Sequence, residues 1–233
     1  MTFEYLSFLA DPWFVVPWYL VGMVGAVAVR YDVLSANQNV NVALKSAWPI
    51  IVLFFSVIGL ALYWWTCRPP GIGKLDGETA EQVHHEYVTK PFRKVTGSVI
   101  HCVGGDGLGI ITAMAGLRLF DVPFWTEFSV EYVVGFLFGW LLFQSVSFKM
   151  MEEIGWLSAL WKGGRAEFFS MITVMLGMGL MMRYVTPSVV GHPPDPTTAA
   201  FWGFAALGLL VGFVFTYPMN ALLVHVGWKH GMA

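Results

Sequence analysis

The sequence contains few charged residues. Asp, Glu, Lys and Arg make up 12% of its 233 residues, whereas hydrophobic residues make up 57%. A soluble domain carries about 25% charged and about 45–50% apolar residues. The charges gather in short segments between long apolar runs, and a helical run of about 20 apolar residues matches the hydrocarbon thickness of a bilayer. This scarcity of charge excludes a soluble enzyme and predicts a multi-pass helical membrane protein, since helices satisfy their own backbone polar groups in lipid.

Several other features are missing. The net charge of −2 provides no basic surface, which excludes nucleic acid as a partner. The two cysteines, Cys67 and Cys102, form no disulfide framework. Glu4 and Asp11 lie where a cleavable signal peptide would carry Lys or Arg, so no signal peptide is expected. The short signatures of serine hydrolases, P-loop proteins, zinc proteases and dinucleotide enzymes are absent. An enzyme is therefore the less favoured class, although a lipid or quinone site would need no short motif.

The apolar runs predict an all-α fold, an integral membrane helical bundle that forms a single transmembrane domain over residues 1–233. Six spans are expected, at about 13–29, 47–66, 98–117, 128–148, 168–185 and 199–225. Thr79 and Gln82 resemble a capping box, which predicts a short loop helix ending before Pro91. The segment Lys149–Arg165 alternates charged and large apolar residues, a pattern typical of a helix that lies along the membrane interface.

The Lys and Arg residues predict the orientation of the bundle. Nine of the 13 lie on the side that holds both termini and the loops after spans two and four, and four lie on the other side. Both termini, and the loop helix with them, are therefore expected to be cytoplasmic. Gly-x-x-x-Gly spacing at Gly135 and Gly139, and again at Gly208 and Gly212, predicts close helix packing in lipid. The lipid bilayer is the expected partner. For the assembly of the chain, a homo-oligomer and a larger membrane complex are the two alternatives.

Asp106 is the strongest pointer to function. An Asp near the centre of a membrane helix costs about 2.5–3.5 kcal/mol on insertion, so it calls for a partner, a cation or a proton path. Cys102 lies four residues earlier on the same helical face, and His101 adjoins it. Imidazole, thiolate and carboxylate together suit a transition metal, which predicts a metal site. A proton site and a structural Asp bonded to a neighbouring helix are the alternatives.

The last predicted span offers further candidate ligands. Pro218 leaves the carbonyl of Val214 without its helical partner, so that carbonyl is free for Asn220 or for an ion, with a simple kink as the alternative. His225 and His230 follow at the predicted cytoplasmic end, which is also where span three begins with His101 and Cys102. Asn220, His225 and His230 are therefore added to the predicted metal ligands.

Met residues form one stripe along the fifth span. Met171, Met175, Met178 and Met182 follow at steps of four, three and four residues. Thioether ligands select Cu(I). The alternative is deformable packing, which is the commoner use of Met in helices.

Two other polar groups are expected to be solvated. Glu127 and Glu131, with Asp121 nearby, could attract cations but are interpreted as the solvated end of a helix. His84 and His85 are adjacent on the loop helix and cannot share one face, so both are expected to face water.

Five short blocks carry a family resemblance, namely Ala47–Tyr63 with its Trp-Pro-Ile start, Ser98–Asp106 with its His-Cys-Val-Gly-Gly run, the glycine-containing Glu131–Gly139, the Pro-Met-Asn at 218–220, and the Gly-Trp-Lys-His at 227–230. Together they resemble a bacterial multi-pass membrane family catalogued as domain of unknown function forty-three ninety-six. The resemblance implies a bacterial inner-membrane location and a bundle fold, but no activity. It also places four of the candidate ligands in family-like blocks, namely His101, Cys102, Asn220 and His230.

The sequence departs from that family pattern in two places. Family members often carry a second cysteine after the glycines of the His-Cys block, where this chain has Gly105, Asp106 and Gly107. They also tend to have carboxylates within span five, where this chain has the Met-rich stretch 175–178. If the family binds a metal, the departures imply that this chain binds it with different ligands or not at all.

Two hypotheses of different class follow. In the first, the chain binds or transports a transition-metal cation (copper, zinc or iron) at His101, Cys102 and Asp106, with Asn220, His225 and His230 in support. In the second, it is a structural or accessory subunit of a larger membrane complex, and Asp106 is an inter-helix hydrogen-bonding group. An enzyme with a lipid or quinone substrate ranks third.

Overall fold

The computed structural model describes residues 3–120 and 122–231, and its described part is helical. Six of the helices are long and apolar enough to cross a membrane, which confirms the predicted fold class. They and one short polar helix are α1 (Pro12–Ser35), α2 (Val42–Thr66), α3 (Gly77–Val88, the polar one), α4 (Pro91–Leu117), α5 (Phe124–Glu152), α6 (Trp156–Val190) and α7 (Ala199–His225). Short 3₁₀ turns at Glu4–Ala10 and Ile72–Lys74 complete the described elements.

Helix α4 lies at the centre of the bundle. Of the residues in its most apolar stretch, 72% are buried, against 22% for α1. Its glycines explain the position, because each one lets a different neighbour approach closely. A Cβ added at Gly104 would lie 3.2 Å from Ala47 on α2, one at Gly107 would lie 2.6 Å from Leu209 on α7, and one at Gly109 would lie 2.8 Å from the Gly135 backbone on α5. Small-residue contacts of this kind bring helices together in lipid.

The predicted boundaries of two helices are corrected. Helix α4 begins at Pro91 rather than near residue 98, because Pro is well suited to the first turn of a helix and the polar residues that follow continue it. The segment 149–165 is not a separate interfacial helix. Its first residues form the end of α5. The helix stops at Glu153, whose backbone is in the left-handed region (φ 53°), and α6 then runs from Trp156 into the bundle.

Helix α3 also differs from its prediction. The helix begins at Gly77, ahead of Thr79, and its N-cap residue is Asp76. The Asp76 side chain accepts no capping hydrogen bond, so the expected capping box is not formed. His85 is exposed as expected, whereas His84 is buried, which corrects the prediction that both face water. The two imidazoles differ because adjacent residues point about 100° apart on a helix.

The chain turns back into the bundle after α7. Gly227 adopts the left-handed conformation (φ 70°), and the N–H groups of Trp228 and Lys229 both donate to the carbonyl of Leu223. A glycine is required here because a side chain disfavours positive φ. This reversal carries the Lys229 side chain into the interior, where only 3% of the residue is exposed.

Candidate metal centre

Two of the predicted ligands meet on α4. Cys102 and Asp106 are four residues apart, so the helix places them on the same face. The Cys102 thiol donates to Asp106 Oδ2 over 3.1 Å, and both side chains are buried. The thiol–carboxylate pair that the sequence predicted is therefore formed in the centre of the bundle.

Glu167 of α6 completes the group. Its Oε1 lies 3.5 Å from Cys102 Sγ, and the residue is fully buried. One ligand atom from each of Cys102, Asp106 and Glu167 lies within 4.8 Å of the other two, so three donors from two helices surround one point. One ion could contact all three donor atoms.

Gly139 of α5 makes room for the two carboxylates. A Cβ built on Gly139 would overlap Oδ1 of Asp106 and crowd the carboxylate of Glu167. The Gly135-x-x-x-Gly139 spacing therefore does more than let helices pack, since its second glycine leaves the space that the acidic side chains occupy.

The acidic oxygens of this group are only partly satisfied. Asp106 Oδ1 and Glu167 Oε2 are buried and have no hydrogen-bond partner among the described residues. A buried carboxylate oxygen without a donor carries a large desolvation penalty, and a cation or a shared proton would offset it. Thiolate and carboxylate oxygen are both donors that transition metals accept.

A second polar cluster lies beside the first. Lys229 Nζ donates to Asn220 Oδ1 at 2.7 Å and to Ser170 Oγ at 3.2 Å. Asn220 Oδ1 also accepts from Ser98 and Ser170, while its amide nitrogen donates to the Thr216 carbonyl at 3.0 Å. Ser98 lies one turn before Cys102 on α4, and Ser170 lies one turn after Glu167 on α6. The Lys229 charge acts on both Cys102 and Asp106, so this cluster places a fixed cation near the acidic group.

The remaining predicted ligands are not part of the Cys102, Asp106 and Glu167 group. His101 is buried with both ring nitrogens unpartnered, but its ring packs against Phe143 at a centroid distance of 5.5 Å. Asn220 accepts a hydrogen bond from Lys229 and donates one to the carbonyl of Thr216, rather than to the carbonyl of Val214. His225 is exposed, and Nε2 of His230 lies 2.8 Å from Glu152 Oε1.

Glu167 is the site residue that sequence reasoning missed. The fifth span was predicted to begin at Phe168, which left Glu167 just outside it among the charged residues of the supposed interfacial segment. A spacing signal was available, because Glu167 precedes Met171 and Met175 at four-residue steps and so continues the Met stripe. A carboxylate that prolongs the buried stripe of a membrane helix indicates a position inside the bundle.

The Met stripe is largely interior. Met171, Met175 and Met178 are buried and Met182 is half-buried. They pack within the main apolar core. The geometry thus agrees with deformable packing, the alternative to a copper site.

Glu127 and Glu131 are buried, which corrects the interpretation that they are solvated. Exposure is 4% for Glu127 and 0% for Glu131. Arg118 Nε lies 2.9 Å from Glu127 Oε1, so an ion pair joins the residue that follows α4 to α5 at this end of the bundle. Asp121, which was grouped with them, lies outside the described residues.

Comparisons with known proteins give one match. The model of a family described as "Domain of unknown function (DUF4396)" matches residues 92–229, a range that contains Cys102, Asp106, Glu167 and Lys229. This finding agrees with the resemblance carried by the short sequence blocks. No curated protein and no solved structure matches the chain.

Proposed function

The chain belongs to the DUF4396 family, a family of unknown function, and we propose that this multi-pass membrane protein binds a transition-metal cation at Cys102, Asp106 and Glu167. The observation that carries the proposal is the convergence of one thiol and two carboxylates, all buried, around a single point between α4 and α6. Thiolate is a soft donor and carboxylate a hard one, so the mixed set favours zinc or iron over Cu(I).

Charge balance supports a cation in this place. Two buried carboxylates and a thiol face each other, and among the described residues no Lys or Arg forms an ion pair with either acid. Lys229 is the positive group that acts on Asp106, but its ammonium is held by the neutral oxygens of Asn220 and Ser170. A divalent cation would compensate the two carboxylates directly.

Transport is the further step that we propose for this site. Ionisable groups inside a membrane bundle commonly mark ion pathways, and the group lies on the central helix rather than at a surface. The accessory-subunit hypothesis requires of the same acids only that they hold α4 and α6 together.

The first experiment measures the metal content of the purified protein by mass spectrometry. Native protein is compared with Cys102→Ala, Asp106→Asn and Glu167→Gln. We expect zinc or iron at about one ion per chain in native protein, as for a single site, and its loss in each variant. Cys67→Ala is the matched control, because Cys67 is also a buried free cysteine but does not belong to the acidic group.

Two results would contradict the proposal. One is metal-free native protein that remains metal-free after incubation with zinc or iron, while all variants keep the native size-exclusion profile. The other is metal that survives in the three site variants and disappears in Cys67→Ala. The first result would favour the accessory-subunit hypothesis, since the acids would then serve only as inter-helix contacts.

A further inference from the structure

A second buried acidic group lies toward the other end of α5. Glu131 is fully buried, neither of its oxygens accepts a hydrogen bond within the described part of the chain, and the charges that act on it are those of Glu127 and Arg118. The ion pair between Arg118 and Glu127 accounts for one of the two acids. Glu131 is left as a buried acid that forms no ion pair among the described residues.

The same face of α5 connects this group with the metal centre. Glu127, Glu131, Gly135 and Gly139 follow at four-residue steps, so they form one stripe along the helix. Gly139 borders the carboxylates of Asp106 and Glu167. The eight residues from Glu131 to Gly139 correspond to a rise of about 12 Å, so two turns of helix separate the two acidic groups.

Two side chains fill the space between the two groups. A Cβ on Gly135 would lie 2.6 Å from Cε of Met171 and 2.6 Å from Cγ1 of Ile110, so both pack directly against the stripe at this level. Met171 lies one turn after Glu167 on α6 and is unbranched, with three rotatable bonds. Met171 can therefore change rotamer more readily than the β-branched Ile110 beside it.

The outer end of the stripe reaches a cavity. A cavity of about 350 Å³ lies where the loops after α4 and α6 meet, and Arg118, Glu127, Met182 and Pro193 line it. Glu131 follows Glu127 by one turn, so it is the next acidic group inward from the cavity.

We propose that Glu131, beside the ion pair of Glu127 and Arg118, is a second cation-binding position, through which a divalent metal passes between this cavity and the centre at Cys102, Asp106 and Glu167. Met171 is the movable side chain between the two positions. The inference rests on the proposed function and adds a route and a residue, Glu131, that transport requires but that equilibrium binding at the centre does not.

The test separates binding from passage with one probe, Co(II), which gives an absorption band when a thiolate binds it. Binding at Cys102 is measured from that band in detergent. Passage is measured as Co(II) uptake into proteoliposomes that contain a fluorophore quenched by Co(II). We expect Glu131→Gln to keep the band at the native Co(II) concentrations and to lower the uptake rate about 10- to 100-fold, the range that follows loss of a polar partner near a metal. Glu131→Asp, which keeps the carboxylate, should restore part of the rate.

Glu78→Gln on α3 is the control, because it removes an exposed acid by the same substitution and should change neither signal. Native uptake with equal uptake by Glu131→Gln would overturn the inference, and so would native protein that shows the band but no uptake. Loss of both band and uptake in Glu131→Gln would overturn it too, since Glu131 would then shape the centre rather than a route. Native protein without a band would instead refute the proposed metal centre itself.

Discussion

At the scale of single residues, Gly139 determines whether the two carboxylates can share their site. Substitution Gly139→Ala would place a Cβ where Asp106 Oδ1 lies, so the acids must move or α5 must shift. We expect loss of the Co(II)–thiolate band and destabilisation by about 1–3 kcal/mol, the usual cost of overpacking a core. The measurements are the absorption titration and the thermal midpoint in detergent.

Gly116 provides the matched comparison for Gly139. A Cβ at Gly116 meets no other atom within 4 Å, so Gly116→Ala should leave metal binding unchanged and gain up to about 1 kcal/mol from helix propensity. Full Co(II) binding by Gly139→Ala would show that the space beside this glycine is not part of the site.

The sequence predicted part of the candidate site at this scale. Cys102 and Asp106 could be paired because four-residue spacing on one helix is fixed by the helical repeat. Glu167 comes from another helix, and its distance from Cys102 depends on how α4 and α6 cross, which no local pattern encodes. His101 shows the reverse case, since a residue adjacent to a ligand in sequence points about 100° away and here packs against Phe143 instead.

At the scale of the elements, we expect the stability of α3 to depend on the protonation of its buried histidine, His84. Burial, with smaller contributions from the charges of His85 and Lys45, lowers the pKa of His84 from 6.5 to about 4. Because the folded pKa lies below the unfolded one, the unfolded segment binds the proton first as the pH falls. The stability of α3 should therefore decrease from about pH 6.5 down to about pH 4 and level off below that.

Hydrogen exchange of residues 77–88 tests this pH dependence. The amides of native protein should lose protection from exchange between pH 7 and pH 5 relative to those of His84→Gln. Comparing the two proteins at each pH removes the intrinsic pH dependence of the exchange rate. His85→Gln, which removes only the smaller contribution of the exposed neighbour, should keep most of the native pH dependence. Parallel pH profiles for native protein and His84→Gln would contradict the prediction.

The six spans were predictable because each is a long apolar run, and such a run has few other stable forms in lipid. Helix ends were less predictable, since a helix can continue beyond the apolar run into polar residues. Helix α6 begins at Trp156 because the backbone of Glu153 and Gly155 is not helical. Hydropathy alone placed the start of the span at Phe168 and so left Glu167 outside the predicted span. This error at the boundary was enough to remove Glu167 from the predicted site.

At the scale of the whole molecule, the C-terminal segment brings a positive charge into an acidic interior. Lys229 arrives from beyond the last span, after the reversal at Gly227, and its charge acts on Cys102 and Asp106 from the adjoining cluster. A fixed ammonium near the acids compensates part of their charge, and it would repel a cation at the proposed centre. The fold as a whole would therefore limit how tightly the proposed centre could hold a metal.

Substitution Lys229→Met should for this reason tighten metal binding. The change removes the repulsion and keeps a side chain of similar length, and Asn220 Oδ1 still accepts from Ser98 and Ser170. We expect Co(II) affinity to rise about tenfold, which corresponds to about 1.4 kcal/mol of repulsion. Lys229→Arg keeps the charge and should bind as native protein does. Weaker binding in Lys229→Met, with binding intact in Lys229→Arg, would mean that the ammonium holds the acids in place for the metal rather than opposing it.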